Sequence, residues 1–270
     1  MARVAGVSIS EQSQPHPMLR VERTGPVLIL TLDRPERRNS QVPSLWSALA
    51  EVGASLDSST RVVVVRAEGP SFSAGLDRAM QTPQGVEGEP SVLTLAAGAS
   101  GALDEAIAQF QRGFAIWAEV PAITIAAVQG HAIGAGFQLA LACDLRVVAD
   151  DVAFAMRETS LGLVPDLAGT SPLVRAVGYA RALEICATGR FVGAQEAVAI
   201  GLASVAVPPE QLDVTARDLA DAILQAPRAA LRELKPLLLH AIDASRPDQL
   251  RAERAAQARL LTAMVQASGK

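Results

Sequence analysis

The chain has 270 residues, of which 50% are hydrophobic, and its formal net charge is -4. This length and apolar content suffice for the core of one enzyme-sized domain, so a disordered chain is excluded. Nearly all of the 24 basic residues are Arg, because Lys occurs only at Lys235 and Lys270. Without a basic stripe or an aromatic platform, nucleic acid is not expected as the main partner.

The two cysteines and the N-terminal residues indicate the compartment. Cys143 and Cys186 lie in apolar stretches without CxxC spacing or neighbouring His residues, so neither a disulfide framework nor a metal site is predicted. Residues 1–17 lack a hydrophobic signal region, and no later apolar run is long enough to span a bilayer. We expect a mobile segment over residues 1–17 and a cytoplasmic protein without a membrane partner.

Strand-like and helix-like segments alternate through the first 150 residues. Short β-branched runs predict strands, and apolar residues at helical spacing predict the helices between them. Apolar strands that alternate with helices are typical of an α/β layered architecture. The segments are Val27 to Leu32, Ser44 to Leu56 (helix), Arg61 to Arg66, Ile123 to Val128, a helix from near Gly134, and Leu145 to Val148.

Two other regions have a different composition. Residues 81–101 are rich in Gly, Pro, Glu and Ser, which predicts a loop that is mobile or becomes ordered with a ligand. Beyond Gly201, amphipathic stretches predict helices over Leu212 to Leu224, Ala229 to Ile242 and Pro247 to Val265. We therefore divide the chain into the mobile segment, a core over 18–205 and a C-terminal helical subdomain over 206–270, whose apolar faces would pack against other subunits.

Two glycine-containing turns are candidates for a binding site. Residues 71–77 (SFSAGLD) follow the second strand, and small residues there let a ligand approach the backbone, although an ordinary tight turn would look alike. Residues 130–138 (GHAIGAGFQ) lead from a strand into a helix, whose first N–H groups are unpaired and suit a developing negative charge. A dinucleotide-binding site is not favoured, because Leu139 occupies the last glycine position of its fingerprint, and a P-loop is not favoured, because no Gly-Lys-Ser/Thr follows. No GxSxG elbow indicates a serine hydrolase.

A third segment, residues 154–170, carries two carboxylates eight positions apart among apolar residues. Glu158 and Asp166 are candidates for proton transfer. Other roles are open for both, because Glu158 could cap a helix or form a salt bridge, and Asp166 could be the N-cap of the following helix.

Together these segments resemble the crotonase superfamily, the enoyl-CoA hydratase/isomerase family, over about residues 20–240. The resemblance also includes LDRPERRNS (32–40), CDLRVVAD (143–150), ATGR (187–190) and AVAIGLASVAVP (197–208). It implies a spiral of ββα units with a C-terminal helical subdomain, and an acyl-CoA thioester substrate without a separate cofactor or metal. It further implies a homotrimer or a dimer of trimers.

The resemblance also implies roles for individual residues. The backbone N–H groups of Ala74 and Ala135 would form an oxyanion hole, in which each preorganised donor stabilises the thioester enolate by about 3 kcal/mol. Lys235 would reach the CoA of a neighbouring subunit, although a lysine on an amphipathic helix is usually just solvated. The implied substrate- and CoA-binding residues are Ser73, Ala74, Gly75, Leu76, Asp77, Gly134 and Lys235.

The acidic residues bear on the type of reaction. Hydratases of the family use two glutamates, of which Glu158 matches the second, whereas Gln138 stands at the first and cannot accept a proton as a carboxylate does. Asp166 matches an aspartate of the dienoyl-CoA isomerase branch, whose third acid would again occupy position 138. The pattern favours double-bond isomerisation with Glu158 as acid/base, Asp166 as assistant and Gln138 as a polar site residue.

Three alternatives stay open. The chain could be a hydratase that works with Glu158 alone, or an acyl-CoA-binding protein without activity. Gln138 could be a satisfied polar residue on its helix. His131 lies near the proposed hole, but a lone histidine in such a place is more typical of a structural role.

Overall fold

The computed structural model describes residues 12–89, 91–99 and 101–268. The strands are β1 (Gln12–His16), β2 (Leu19–Thr24), β3 (Val27–Leu32), β4 (Val62–Ala67), β5 (Ile123–Val128), β6 (His131–Ile133), β7 (Leu145–Ala149), β8 (Ala153–Ala155), β9 (Val192–Gly193) and β10 (Val205–Val207). The α-helices are α1 (Pro43–Ala54), α2 (Val92–Ala96), α3 (Ala102–Glu119), α4 (Ala135–Ala142), α5 (Thr170–Val177), α6 (Tyr179–Thr188), α7 (Ala194–Ala199), α8 (Leu212–Leu224), α9 (Arg228–Asp243) and α10 (Arg246–Ser268).

The core is built on a seven-stranded sheet in the order β1-β2-β3-β4-β5-β7-β10, in which β3 and the strands after it are parallel. Strand β4 is buried on both faces: Val63 and Val65 belong to the core that contains α1 and α3, whereas Val62 and Val64 belong to the core that contains α8. This burial explains the continuous valine run. A second, three-stranded sheet is formed by β6, β8 and β9. The predicted α/β architecture is confirmed.

The segment boundaries differ from those predicted. Residues 12–16, which belong to the segment expected to be mobile, form β1 and pair antiparallel with β2. The first eleven residues of that segment lie outside the described residues. The boundary after residue 205 falls within β10. Helix α8 packs on the sheet through Leu212, Ala216 and Ala220, so it belongs to the core, and only α9 and α10 form a separate helical layer.

The region expected to be an unstructured loop contains helix α2, and it is followed by the 18-residue helix α3, which the pattern analysis did not assign. Helices α3 and α1 pack closely at Gly113, where a side-chain carbon would lie 2.4 Å from the Trp46 carbonyl oxygen. The rings of Trp46 and Phe114 meet edge to face with centroids 5.7 Å apart. Tertiary packing of these aromatic rings stabilises α3 in addition to its helical periodicity.

Within the described residues, no helix combines the length and apolarity that crossing a membrane requires. Both cysteines are free, and burial raises the pKa of the Cys143 thiol to about 12, which makes it inert. Cys186 is partly buried.

Candidate active site

The two glycine-containing turns lie side by side at the carboxyl ends of β4 and β5, where α/β sheets usually bind ligands. Ser73 N–H donates to the His131 carbonyl at 2.9 Å, and Ile133 N–H donates to the Ser73 carbonyl at 3.0 Å. Phe72 N–H donates to the Gln129 carbonyl at 2.8 Å. The two turns are thus joined by backbone hydrogen bonds, so they can contribute to one site, as the family resemblance implied.

Glycines let these backbones approach closely. A side-chain carbon at Gly75, whose φ is +86°, would lie 2.5 Å from the Ile133 carbonyl oxygen and 3.5 Å from the Ala135 nitrogen. One at Gly136 would lie 2.4 Å from the Ser73 carbonyl oxygen. Any larger residue would push the turns apart, so the glycines define the spacing of the site.

The amide of Ala74 is not available for an oxyanion, because it donates to the Arg38 carbonyl at 2.8 Å. The predicted hole therefore needs a correction. Leu76 forms a parallel bridge with Gln41, in which Gln41 N–H donates to the Gly75 carbonyl and Asp77 N–H donates to the Gln41 carbonyl, both at 2.8 Å. The Gly75 C=O and the Leu76 N–H belong to one trans peptide and point in opposite directions, so the Leu76 N–H faces away from Gln41.

The second donor is the predicted one. Ala135 is the first residue of α4, and an N–H at this position has no acceptor within the helix. The contact between Gly75 and the Ala135 nitrogen brings this amide next to the Gly75–Leu76 peptide. The Leu76 and Ala135 amides are therefore the candidates for the two donors.

The side chains of Ser73 and Asp77 point into the protein, so side-chain contacts of these residues with CoA are also excluded. Ser73 Oγ donates to the Asn39 carbonyl at 2.7 Å and accepts from Gln41 at 3.0 Å. Asp77 accepts from Arg34 at 2.7 Å. Burial is the largest effect and opposes ionisation of the Asp77 carboxyl, but hydrogen bonds from Ala79 N–H, Arg34 and Ser40 and the Arg34 charge together hold its pKa below the usual value. Both residues fix the turn to the segment 34–41.

Asn39 is a supporting residue that the pattern analysis missed. Its side chain is buried and donates to the carbonyls of Glu68 and Ser71, both at 2.8 Å, and its oxygen accepts from Arg34 N–H at 2.8 Å. Its φ is +51°, a conformation that Asn tolerates better than most residues. The only sequence signal for Asn39 was that it belongs to the segment LDRPERRNS, which is part of the family resemblance. Its supporting role became visible only from its contacts in the structure.

Glu158 lies against the start of α4. It begins a short 3-10 helix after β8, and its Oε1 lies 3.2 Å from where a side-chain carbon on Gly134 would stand. Oε1 accepts from Gln138 Nε2 at 2.8 Å, whereas Oε2 is buried and has no hydrogen-bond partner among the described residues. Burial, with the charge of Asp166, raises the pKa of Glu158 above its ordinary value. The salt-bridge and capping alternatives are not supported.

Asp166 lies near Glu158 but is not a helix N-cap, because α5 begins at Thr170 with Gly169 as its N-cap. Burial raises the pKa of the Asp166 carboxyl. The Asp166 carbonyl accepts from Gln111 of α3 at 2.8 Å. Two carboxyl groups with raised pKa values therefore face one site, a pattern suited to proton transfer.

Lys235 is not placed for contact with CoA. It is 6% exposed, and its Nζ donates to the carbonyls of Trp117 at 2.9 Å and Ala122 at 3.0 Å and pairs with Asp144 at 2.9 Å. The lysine is neither solvated nor free to reach another subunit. It fixes α9 to the C-terminal end of α3.

We expect Lys235→Met to lower stability without affecting substrate binding. Removing one partner of a buried ion pair leaves the Asp144 carboxylate without its counter-charge, which costs about 3–5 kcal/mol. Urea unfolding should show this loss, whereas KM for an acyl-CoA should stay at the wild-type value. A raised KM with unchanged stability would restore the CoA-contact role.

His131 fits a structural role. Its Nδ1 lies 3.4 Å from Ser71 Oγ, and its ring meets Phe191 edge to face with centroids 6.3 Å apart. Among the residues that the structure covers, no group of three or more His, Cys, Asp or Glu side chains could hold a metal ion.

Comparison with known proteins shows the family of the chain. A family model described as enoyl-CoA hydratase/isomerase matches residues 22–268, so the chain belongs to the enoyl-CoA hydratase/isomerase family of the crotonase superfamily. The family acts on CoA-linked substrates, and CoA is part of the substrate rather than a separate cofactor.

Relatives match over most of their length. The chain is 33% identical to a probable enoyl-CoA hydratase, echA8, of Mycobacterium bovis (87% of this chain, 86% of the relative). It is also 33% identical to a carnitinyl-CoA dehydratase of Salmonella arizonae (81% and 79%). The crystal structure of a protein of Thermobifida fusca YX, described as a "putative enoyl-CoA hydratase" in complex with acetoacetyl-CoA, has a TM-score of 0.87 and 44% identity (91% and 95%).

Proposed function

We propose that this enzyme moves the double bond of an enoyl-CoA thioester, with Glu158 as the acid/base and the amides of Leu76 and Ala135 as the oxyanion hole. One observation carries the proposal: the Glu158 carboxylate, whose Oε2 is buried without a hydrogen-bond partner among the described residues, lies against Gly134, directly before Ala135. The raised pKa of Glu158 lies closer to the operating pH. A carboxyl group whose pKa is near that pH can both take a proton and return it.

The chemical steps follow from this arrangement. Ionised Glu158 removes a proton from C2 of a 3-enoyl-CoA, and the electron pair moves onto the thioester oxygen as a dienolate. The two amides stabilise that negative charge. Glu158 then returns the proton to C4, the double bond settles between C2 and C3, and the base is regenerated. Asp166, whose carboxyl pKa is also raised, assists by receiving or supplying a proton in longer conjugated substrates.

Hydration of a 2-enoyl-CoA is the second candidate, because the relatives are named hydratases or a dehydratase. Hydration requires a group that holds and activates water. The Gln138 amide donates to Glu158 and accepts from Leu167 and Gly169, and it has no carboxylate with which to take a proton from a water molecule. Glu158 would have to do this work alone, and we therefore rank hydration second.

The acyl-CoA substrate is supported by the acetoacetyl-CoA complex of the T. fusca protein. A trimer or a dimer of trimers is also a proposal, supported by exposed apolar side chains on the C-terminal helices. These side chains are Leu234, Leu238, Ile242, Leu250, Leu261, Met264 and Val265.

The reaction type is tested by parallel assays of 2-enoyl-, 3-enoyl- and 3,5-dienoyl-CoA with the purified protein. We expect the highest kcat/KM for a substrate that undergoes double-bond migration, measured by the absorbance of the conjugated product. Faster loss of conjugated 2-enoyl-CoA would assign the chain as a hydratase. Binding of an acyl-CoA by calorimetry without turnover of any substrate would identify an inactive binding protein.

A further inference from the structure

Gln138 connects the two acidic segments of the site. It lies on α4, is 1% exposed, and donates from Nε2 to Glu158 Oε1 at 2.8 Å. Its Oε1 accepts from the N–H groups of Leu167 at 2.9 Å and Gly169 at 3.2 Å. One side chain thus contacts both the proposed base and the backbone directly after Asp166.

The orientation of this amide is determined by its partners. Two backbone N–H groups can only be met by the amide oxygen, so the amide nitrogen must face Glu158. A side-chain carbon at Gly169 would lie 2.6 Å from Gln138 Cγ, which shows how closely the backbone covers the glutamine and how little room it has to turn. Glu158 Oε1 is therefore permanently occupied by a donor.

We propose that Gln138 is a positioning residue that reserves a single oxygen of Glu158, Oε2, for proton transfer and holds the Asp166 segment beside it. This inference rests on the proposed function and deepens it. With one reactive oxygen, the proton is taken and returned from one side of the substrate, as a 1,3-shift requires. A second carboxylate at position 138 would instead compete for that proton.

The geometry explains why an amide suits this position and a carboxylate does not. In Gln138→Glu, one carboxylate oxygen would still accept from Leu167 and Gly169. The other would stand 2.8 Å from Glu158 Oε1, where the amide nitrogen stands now. Two carboxylate oxygens at this separation must share a proton, which raises the pKa of the pair. The other titratable groups that face Glu158 within the described chain are Asp166 and Cys186.

The experiment compares Gln138→Glu with Gln138→Met. The glutamate keeps the acceptor for the backbone and removes only the donor to Glu158, whereas methionine removes both. The pKa of Glu158 is read by NMR of the protein labelled with ¹³C at the glutamate carboxyl, with Glu158→Gln used for assignment. The pH profile of kcat and the KM for a 3-enoyl-CoA are measured in parallel.

For Gln138→Glu we expect a pKa of Glu158 that is higher by about one unit or more, and an acid limb of kcat that moves to higher pH. We expect kcat at neutral pH to fall about 10- to 100-fold, with KM and the melting temperature near wild type. Gln138→Met should also raise this pKa and, in addition, lower the melting temperature because two backbone donors lose their acceptor.

Gln111→Met is the matched control, because Gln111 holds the same segment through the Asp166 carbonyl without contacting Glu158. It should leave the pKa of Glu158 unchanged. An equal pKa change in this variant, or an unchanged pKa and pH profile in Gln138→Glu, would overturn the proposal. Because the NMR titration needs no turnover, it tests Gln138 even if the wild-type protein isomerises no substrate, an outcome that would refute the proposed function alone.

Discussion

Glu158→Gln is expected to lower isomerisation of an enoyl-CoA by about 10²- to 10⁴-fold, the contribution typical of a positioned general acid/base. The amide has nearly the size of the carboxylate but cannot take a proton. Its oxygen can still accept the hydrogen bond from Gln138 Nε2 that Oε1 accepts now, so the fold should be retained. The Leu76 and Ala135 amides are untouched, and we therefore expect acyl-CoA binding to persist.

Single-turnover kinetics with a 3-enoyl-CoA and calorimetric titration with acetoacetyl-CoA measure the two quantities separately. Glu184→Gln is the matched control, because Glu184 is an exposed glutamate paired with Arg190 on the surface. It should behave as wild type in both measurements. If isomerisation by Glu158→Gln proceeded at the wild-type rate, Glu158 would have no part in the mechanism, and Asp166 would be the base to test next.

Ala135→Pro is expected to reduce kcat by about 10²- to 10³-fold, the effect of removing one oxyanion-hole donor. Proline has no N–H, and the first position of a helix is where it is best tolerated. Because Ala135 occupies that position in α4, the substitution deletes the donor with the smallest disturbance of the helix. KM should rise as well, because the proline Cδ stands where the N–H hydrogen pointed, next to Gly75. The lost stabilisation of the charge that develops on the thioester oxygen is read from kcat.

Ala135→Gly separates the amide from the side chain. Glycine keeps the N–H and should lose much less activity than proline, with a melting temperature near that of the wild type. A comparable loss in both variants would show that the methyl group or the helix start matters rather than the donor. Wild-type kcat in a folded Ala135→Pro protein would refute the oxyanion hole.

Several elements could be predicted because their signals are local. The valine run of β4 and the apolar spacing of α8 appear where the sequence placed them, since strand and helix periodicity depend on neighbouring residues. Helix α3 was not assigned although Leu103, Ile107, Phe110, Phe114 and Trp117 recur at helical spacing, so its signal is as local as that of α8.

The sequence by itself determined the chemical groups of the site: the carboxylates of Glu158 and Asp166, the neutral amide of Gln138, and a helix start at Ala135 with an unpaired N–H. Only the tertiary structure decided which peptide of the first turn is available for the proposed hole, because the direction of an N–H depends on what its peptide pairs with. Bonding of Ala74 to Arg38 and of the neighbours of Leu76 to Gln41 selects Leu76. In the same way, Lys235 is a structural residue because its ammonium meets carbonyls and a carboxylate from distant parts of the chain.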